Sequence, residues 1–495
     1  MDEVLLLGKT QEGTEFSIPK KALRKHVVTL GASGSGKTVF CKCIIEESVR
    51  NSIPAIIIDP QGDIASLAIP GKETEIESKG TSKNLLEDYK QKAEVRIFTP
   101  ASKKGLGLSV NPLKIPSNLT DEEERIRTID LMSSSVVRLI NYDMETEAGK
   151  ASNAFLFKLL QAGMKRGTPI TDLETLANYV DKPDLLININ EADSMLNKKE
   201  RDRLSKNIRF LTTGVEQLLF SIGSSVNMDL FLTPVTPGKV PVNIIYLNTL
   251  NKDEHKQFFV TMIGNEIYNW MLSHPKEDVQ LIFYIDEVST YLPPHPRNPP
   301  AKEILKLLFK QARKYGVSCM MSTQNPSDID YKAMSQAATW ALGRMMTEQD
   351  KSKIDALLIS MNSGSTDRRS VVDALSTLKP GEFIIVSPDY YDKPQRVKTR
   401  WLVTEHRTLE EETLRDYIDD KIETVLDKKG TQKTTQGSNQ VNPQNTQNLP
   451  IGSNITPTPS NYGRTPEYLC ATCRTRLEYI YQYRRWYCRG CNKYL

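Results

Sequence analysis

Nowhere does the 495-residue chain reach the ~18 consecutive apolar residues that a bilayer-spanning helix needs, so no membrane span or membrane partner is expected. The opening stretch, MDEVLLLGKT, starts acidic and holds only a short apolar run, so it does not read as a secretory signal. A strong charge of one sign is missing too. The net charge is +4, which by itself does not advertise a nucleic-acid partner. That charge is uneven: residues 464–495 hold seven Lys/Arg against two Asp/Glu, so the rest of the chain sums to about −1. Cysteine is sparse, at seven, and Cys41, Cys43 and Cys319 stand in apolar segments, as small buried hydrophobes of a reducing compartment do. No internal repeat is evident. These absences leave a cytoplasmic protein as the expectation. What is present, 39% apolar and 25% charged residues, suits a large core under a solvated surface. At roughly 150 residues per domain, the length suggests about three domains.

The patterning alternates between periods. Residues 26–30 form a β-branched run that predicts a strand, followed by a glycine-rich turn and a helix over 37–51. Residues 55–59 are almost wholly apolar, as a strand covered on both faces of a parallel sheet would be. Further strands are predicted at 95–98, 240–250, 281–286, 318–323, 381–386 and 396–403, with helices at 254–272 and 302–315. Between 117 and 232 the apolar spacing turns helical, notably at 122–140, 151–165 and 199–210, which predicts a mainly helical insertion. The alternation elsewhere argues an α/β fold with a mostly parallel sheet. Residues 428–459 lack aromatics and are rich in Thr, Gln, Asn, Ser, Gly and Pro, the composition of a flexible tether.

Between the first strand and helix lies Gly31-Ala32-Ser33-Gly34-Ser35-Gly36-Lys37-Thr38, a phosphate-binding Walker A pattern in its proper context. Glycines let the backbone curl so that several N–H groups aim at one phosphate, and the helix N-terminus adds partial positive charge. Lys37 is expected on the β- and γ-phosphates of ATP, and the Thr38 hydroxyl on Mg²⁺. Such a loop needs a carboxylate from a neighbouring strand to hold the metal. Asp286 ends the apolar run 281–285 and fits that role, with Glu287 beside it to polarise the attacking water. A strand between the two motifs and the paired acids indicate the RecA-like class over small-molecule kinases.

The segments HVVTLGASGSGKT (26–38) and IDPQGD (58–63) resemble the opening of the HerA-type ATPases, relatives of FtsK and of conjugative coupling proteins. YIDEV (284–288), ARKYG (312–316), STQNPS (322–327), LGR (342–344) and LKPG (378–381) match in type and order, over about residues 1–408. The resemblance implies a RecA-like P-loop ATPase working as a hexameric ring that pumps duplex DNA through its pore. Gln324 matches the sensor of the γ-phosphate. Arg313 and Arg344 match arginines placed near the nucleotide, in cis or across a subunit interface, where a guanidinium grips phosphate oxygens bidentately. Asp59 and Asp63 are expected near the loop, with capping of the next helix the alternative for Asp63. Only about 25 residues precede the first strand, too few for the small β-barrel usual in HerA proteins. A nuclease or another protein is the further partner implied.

Cys470-Ala-Thr-Cys473 and Cys488-Arg-Gly-Cys491 are two CxxC pairs separated by fourteen residues, a zinc-ribbon spacing that completes a tetrahedral sulfur shell around Zn²⁺. Disulfides are disfavoured in a reducing compartment. Arginines 474, 476, 484, 485 and 489 lie among Tyr479, Tyr481, Tyr483 and Trp486. That mixture suits DNA, through phosphate pairing and base stacking, as well as it suits protein docking. The expected organisation is therefore an ATPase core over 1–116 and 233–408, the helical insertion 117–232, a helix then a flexible linker over 409–463, and the ribbon at 464–495. The leading reading is an ATP-driven DNA translocase or helicase-like motor. The alternatives are a nucleotide-gated scaffold and a DNA transfer or packaging ATPase of a mobile element.

Overall fold

The structure is a computed structural model that describes residues 3–115, 121–360, 365–426, 477–480, 485–488 and 493–494. The strands are β1 (Val4–Thr10), β2 (Glu15–Pro19), β3 (Val27–Leu30), β4 (Ala55–Asp59), β5 (Ala93–Pro100), β6 (Leu106–Ser109) and β7 (Ser224–Ser225) in the first half. They continue with β8 (Val240–Tyr246), β9 (Leu281–Ile285), β10 (Val317–Thr323), β11 (Thr339–Leu342), β12 (Glu382–Val386) and β13 (Gln395–Thr399). All of these join one 13-stranded sheet in the order β2-β1-β13-β12-β11-β3-β10-β9-β4-β8-β5-β6-β7. Every neighbouring pair from β11 to β7 is parallel. The remaining strands, β12, β13, β1 and β2, extend that sheet in antiparallel fashion.

The parallel strands are buried on both faces, and side-chain alternation splits their residues between two cores. Val28, Leu30, Ile56, Ile58, Phe283 and Ile285 face one core, while Val27, Ala55, Ile57, Ile282 and Tyr284 face the other. The first core is covered by helices Glu122–Leu139, Glu147–Lys165, Asp253–Ser273 and Pro300–Gln311. The second is covered by α1 (Lys37–Arg50) and helix Lys83–Lys92, with β1 and β2 closing its side. The result is a RecA-like α/β layering with the sheet in the middle.

Most predicted elements are present within a few residues of the predicted bounds. Residues 121–232 are mainly helical, including Glu122–Leu139, Glu147–Lys165 and Lys198–Leu211. The sheet differs from expectation in its short strands and its edge hairpin. The hairpin β1–β2 sits where no element was predicted, and β6, β7 and β11 were missed because runs of two to four residues are too short to show a period. Residues 411–417 form a 3₁₀ turn in place of a regular helix, with residues 420–426 helical. The expected tether, 428–459, lies outside the described residues. In a second compact unit, residues 477–480, 485–488 and 493–494 form a three-stranded antiparallel sheet. Cys488 is on its middle strand, while Cys470, Cys473 and Cys491 fall outside the described residues. Among the described residues, no helix is long and apolar enough to cross a membrane.

Candidate functional site

The site lies at the carboxyl ends of the parallel strands, where open α/β sheets collect ligands. β3 delivers Gly31 to Gly36, and α1 begins at Lys37. Backbone bonds from both sides anchor the loop: Ala32 N–H donates to the Arg344 carbonyl at 2.8 Å, and Gly381 N–H to the Ser35 carbonyl at 2.8 Å. Gly36 has φ +94, and a Cβ there would meet Gly381 N at 3.0 Å, so both backbone conformation and space require glycine. Among the described residues, the N–H groups of Ser33, Gly34, Gly36 and Lys37 donate to no backbone carbonyl. The Ser35 hydroxyl is buried without a partner among the described residues. Unspent donors gathered at a helix N-terminus fit a phosphate chain.

The acids face this loop. β10 stands between β3 and β9, so one strand separates the phosphate loop from Asp286 and Glu287. Asp286 is buried and accepts from Tyr284 at 2.6 Å and from the Ser322 hydroxyl, both on Oδ1. None of the hydrogen bonds among the described residues reaches its Oδ2, which is left for a cation. Burial pushes the Asp286 carboxyl above its ordinary value, against the Ser322 and Tyr284 donors and Lys37. Glu287 sits at φ 45, ψ 57, a left-handed conformation that costs a non-glycine residue about 1–3 kcal/mol. That turn brings its Oε1 to 3.0 Å from the Gln324 amide and 3.8 Å from the Lys37 ammonium. Burial raises the Glu287 carboxyl, opposed by Gln324 and Lys37. Lys37, Thr38, Asp286, Glu287 and Gln324 all line one cleft of about 760 Å³ with the glycine loop. A larger groove, about 1070 Å³, runs beside helices Glu122–Leu139 and Asp253–Ser273 and carries none of these residues.

The cleft continues from Val39 toward Ile76 and a strap of residues 398–407. Helix α1 fixes that strap through buried ion pairs. Arg400 spans Glu46 at 2.8 Å and Glu47 at 3.0 Å. Glu46 also accepts from Val403 N–H at 3.0 Å and Thr404 N–H at 2.9 Å. Lys42, fully buried on the same helix, donates to Ser66 Oγ at 2.8 Å and the Glu405 carbonyl at 2.6 Å. Asp59 gathers the N–H groups of Gln61, Gly62, Ile64 and Ala65. Burial and the nearby Asp286 push Asp59 up to about 7, against those donors. Asp59 therefore caps the turn Ala65–Ala68, a role considered for Asp63. Asp63 lines the cleft and accepts from the Thr408 hydroxyl.

The arginines stand apart. Arg313 precedes β10, whose seven residues span roughly 20 Å before Gln324, so its exposed side chain lies toward the other end of the sheet. The Arg344 carbonyl holds the loop, but its half-buried guanidinium is absent from the cleft lining, and Nε has no partner among the described residues. Cys41, Cys43 and Cys319 are free and buried, as the sequence suggested. Among the described residues no group of three or more His, Cys, Asp or Glu is placed to hold a metal. The roles of Tyr284 and Ser322, which orient Asp286, and of the strap 398–407 were not found from sequence. The first two stood inside quoted motifs, and the strap carries no local signal.

The family described as "Helicase HerA, central domain" matches residues 6–267. The probable helicase MJ1565 of Methanocaldococcus jannaschii is 23% identical over 159 residues, covering 30% of each chain, so this chain spans under a third of that relative. Among solved structures, VirB4 of Thermoanaerobacter pseudethanolicus superposes with a TM-score of 0.54 at 16% identity, over 80% of this chain and 96% of that one. The plasmid coupling protein TrwB, solved with ADP and Mg²⁺, gives 0.51 at 14% identity, over 82% and 91%. These similarities establish a shared P-loop ATPase fold.

Proposed function

The chain belongs to the family of the HerA helicase central domain, and from that premise we propose that it hydrolyses ATP as a hexameric ring acting on duplex DNA. One observation carries the chemistry: Lys37, Asp286, Glu287 and Gln324 converge on a single cleft with the glycine loop. The residues fit ATP and Mg²⁺. Free N–H groups of the loop and the Lys37 ammonium would hold the phosphates. Thr38 and the open Oδ2 of Asp286 would supply the protein share of a Mg²⁺ shell that phosphate oxygens and water complete. The metal would neutralise charge developing on the phosphoryl oxygens. Glu287, held by Gln324, would orient and polarise the attacking water, and Gln324 would register the γ-phosphate. Arg313, far from its own loop, would reach the nucleotide of a neighbouring subunit. Arg344, next to the loop backbone, would act within its own subunit.

Cys470, Cys473, Cys488 and Cys491 would bind Zn²⁺, a reading supported by the CxxC spacing and by the small antiparallel sheet. The ribbon would then contact DNA or a protein such as a nuclease. A second reading, a DNA-transfer motor of a mobile element in the cytoplasm, is favoured by the fold shared with VirB4 and TrwB. Its core chemistry is the same. The test is steady-state ATP hydrolysis with and without duplex DNA, for wild type and Lys37→Ala. Wild type is expected to turn over faster with DNA, and the variant to lose at least about 100-fold. Turnover without DNA binding or stimulation would refute the motor while leaving the ATPase.

A further inference from the structure

We infer that Trp401 is the nucleobase platform of the cleft, stacking the adenine of ATP; this rests on the ATPase reading above. The cleft has direction. Its acidic end is Asp286, Glu287 and Gln324, and its lining then passes Lys37, Thr38 and Val39 toward Ile76, Trp401 and Leu402. A triphosphate with its γ-phosphate at Glu287 and its chain along the loop must leave its nucleoside at that far end. Trp401 is a large flat apolar ring there, yet it stays 44% exposed, an unusual state for tryptophan beside so polar a cleft.

Two features prepare the ring. Lys79 Nζ lies 5.0 Å from its centroid. Lys79 belongs to a separate cavity of about 410 Å³ that Trp401 also lines, and does not line the nucleotide cleft. The cation over the ring thus comes from outside the nucleotide cleft, and the ring's other face is the one assigned to the ligand. The backbone is fixed as well. The preceding residue, Arg400, is gripped by Glu46 and Glu47. Those carboxylates sit roughly 14 Å along α1 from Lys37, at 1.5 Å per residue, a gap that a triphosphate and ribose bridge. The Trp401 carbonyl accepts from Thr81 Oγ1 at 3.0 Å. The loop and the backbone that carries the indole are thus tied to one helix, which lowers the ordering that a base stacked on the ring would demand.

The experiment uses the full chain with Trp401→Ala and Trp401→Phe. Steady-state hydrolysis gives KM and kcat for ATP, and inhibition by inorganic tripolyphosphate reports the phosphate end without a base. Trp401→Ala is expected to raise the ATP KM about tenfold, with kcat within about twofold and the tripolyphosphate inhibition constant unchanged. Trp401→Phe should recover most of the loss. ATP, but not tripolyphosphate, should quench the fluorescence of the wild type, which has four tryptophans, and the quench should vanish in Trp401→Phe. An unchanged KM in Trp401→Ala, or a parallel loss for ATP and tripolyphosphate, overturns the proposal. Wild type that binds neither compound overturns the ATPase reading instead.

Discussion

The two ends of the cleft are built on opposite terms. At the phosphate end, polar groups have no partners among the described residues: loop N–H groups, the Ser35 hydroxyl and Asp286 Oδ2, with Glu287 in a costly backbone conformation. At the strap end, buried charges are matched. Arg400 meets Glu46 and Glu47, Glu46 also takes two N–H groups, and Lys42 has two acceptors. An end that lacks partners stores demand for a ligand, because buried polar groups left unpaired are expensive. An end whose buried charges are paired resists deformation and fixes where the ligand must lie. Substitutions at the two ends should therefore fail differently, one in chemistry and the other in stability.

Glu287→Gln breaks the phosphate end alone. The amide keeps the shape but cannot act as a base, so ATP turnover should fall by about 10²–10⁴-fold. The melting temperature should hold or rise, since a carboxylate destabilised by burial has been removed. Turnover assays and melting curves on the same preparation check this, and a loss under about tenfold removes Glu287 from the proposed role. Arg400→Met breaks the strap end. It leaves Glu46 and Glu47 buried without their cation, which should cost about 3–5 kcal/mol in denaturant unfolding. Turnover per folded molecule should drop far less than in Glu287→Gln. Equal losses of turnover in the two variants would erase the distinction between the ends.

The same contrast explains what the sequence disclosed. The phosphate end is written in contiguous runs: residues 31–38, then 281–287 ending a buried strand, then Gln324 ending another. Local chemistry and burial period suffice to find them. The strap depends on partners over 350 positions apart, such as Arg400 with Glu46 and Glu47, and no local period points from one to the other. The hairpin β1–β2 pairs through β13, an equally distant partner, although Gly13 at φ +84 marks its turn. Asp59 was placed near the loop, yet its task of holding four N–H groups depends on where the backbone bends after β4. Arg313 was expected near the nucleotide from its motif, but only the strand topology reveals that β10 carries it away from its own loop.

The smallest expected effect concerns Lys42, which tests how well the strap end is matched. Burial holds its ammonium down from 10.5 to about 8, while Glu46, Asp59, Asp63 and Glu405 oppose that fall. The folded state thus releases this proton more readily than the unfolded chain. Between about pH 8 and 10.5 the unfolded chain binds more protons, so the contribution of Lys42 to stability rises with pH. Below pH 8 both states are protonated and the full cost of burying the charge remains. Lys42→Met keeps the aliphatic stem and cannot titrate. Melting wild type and variant at about pH 7.5 and about pH 9.5 should show wild type gaining about 2 °C on the variant at the higher pH. Parallel curves would mean that the carboxylates around Lys42 compensate its charge fully, making the strap end better matched than its hydrogen bonds alone imply.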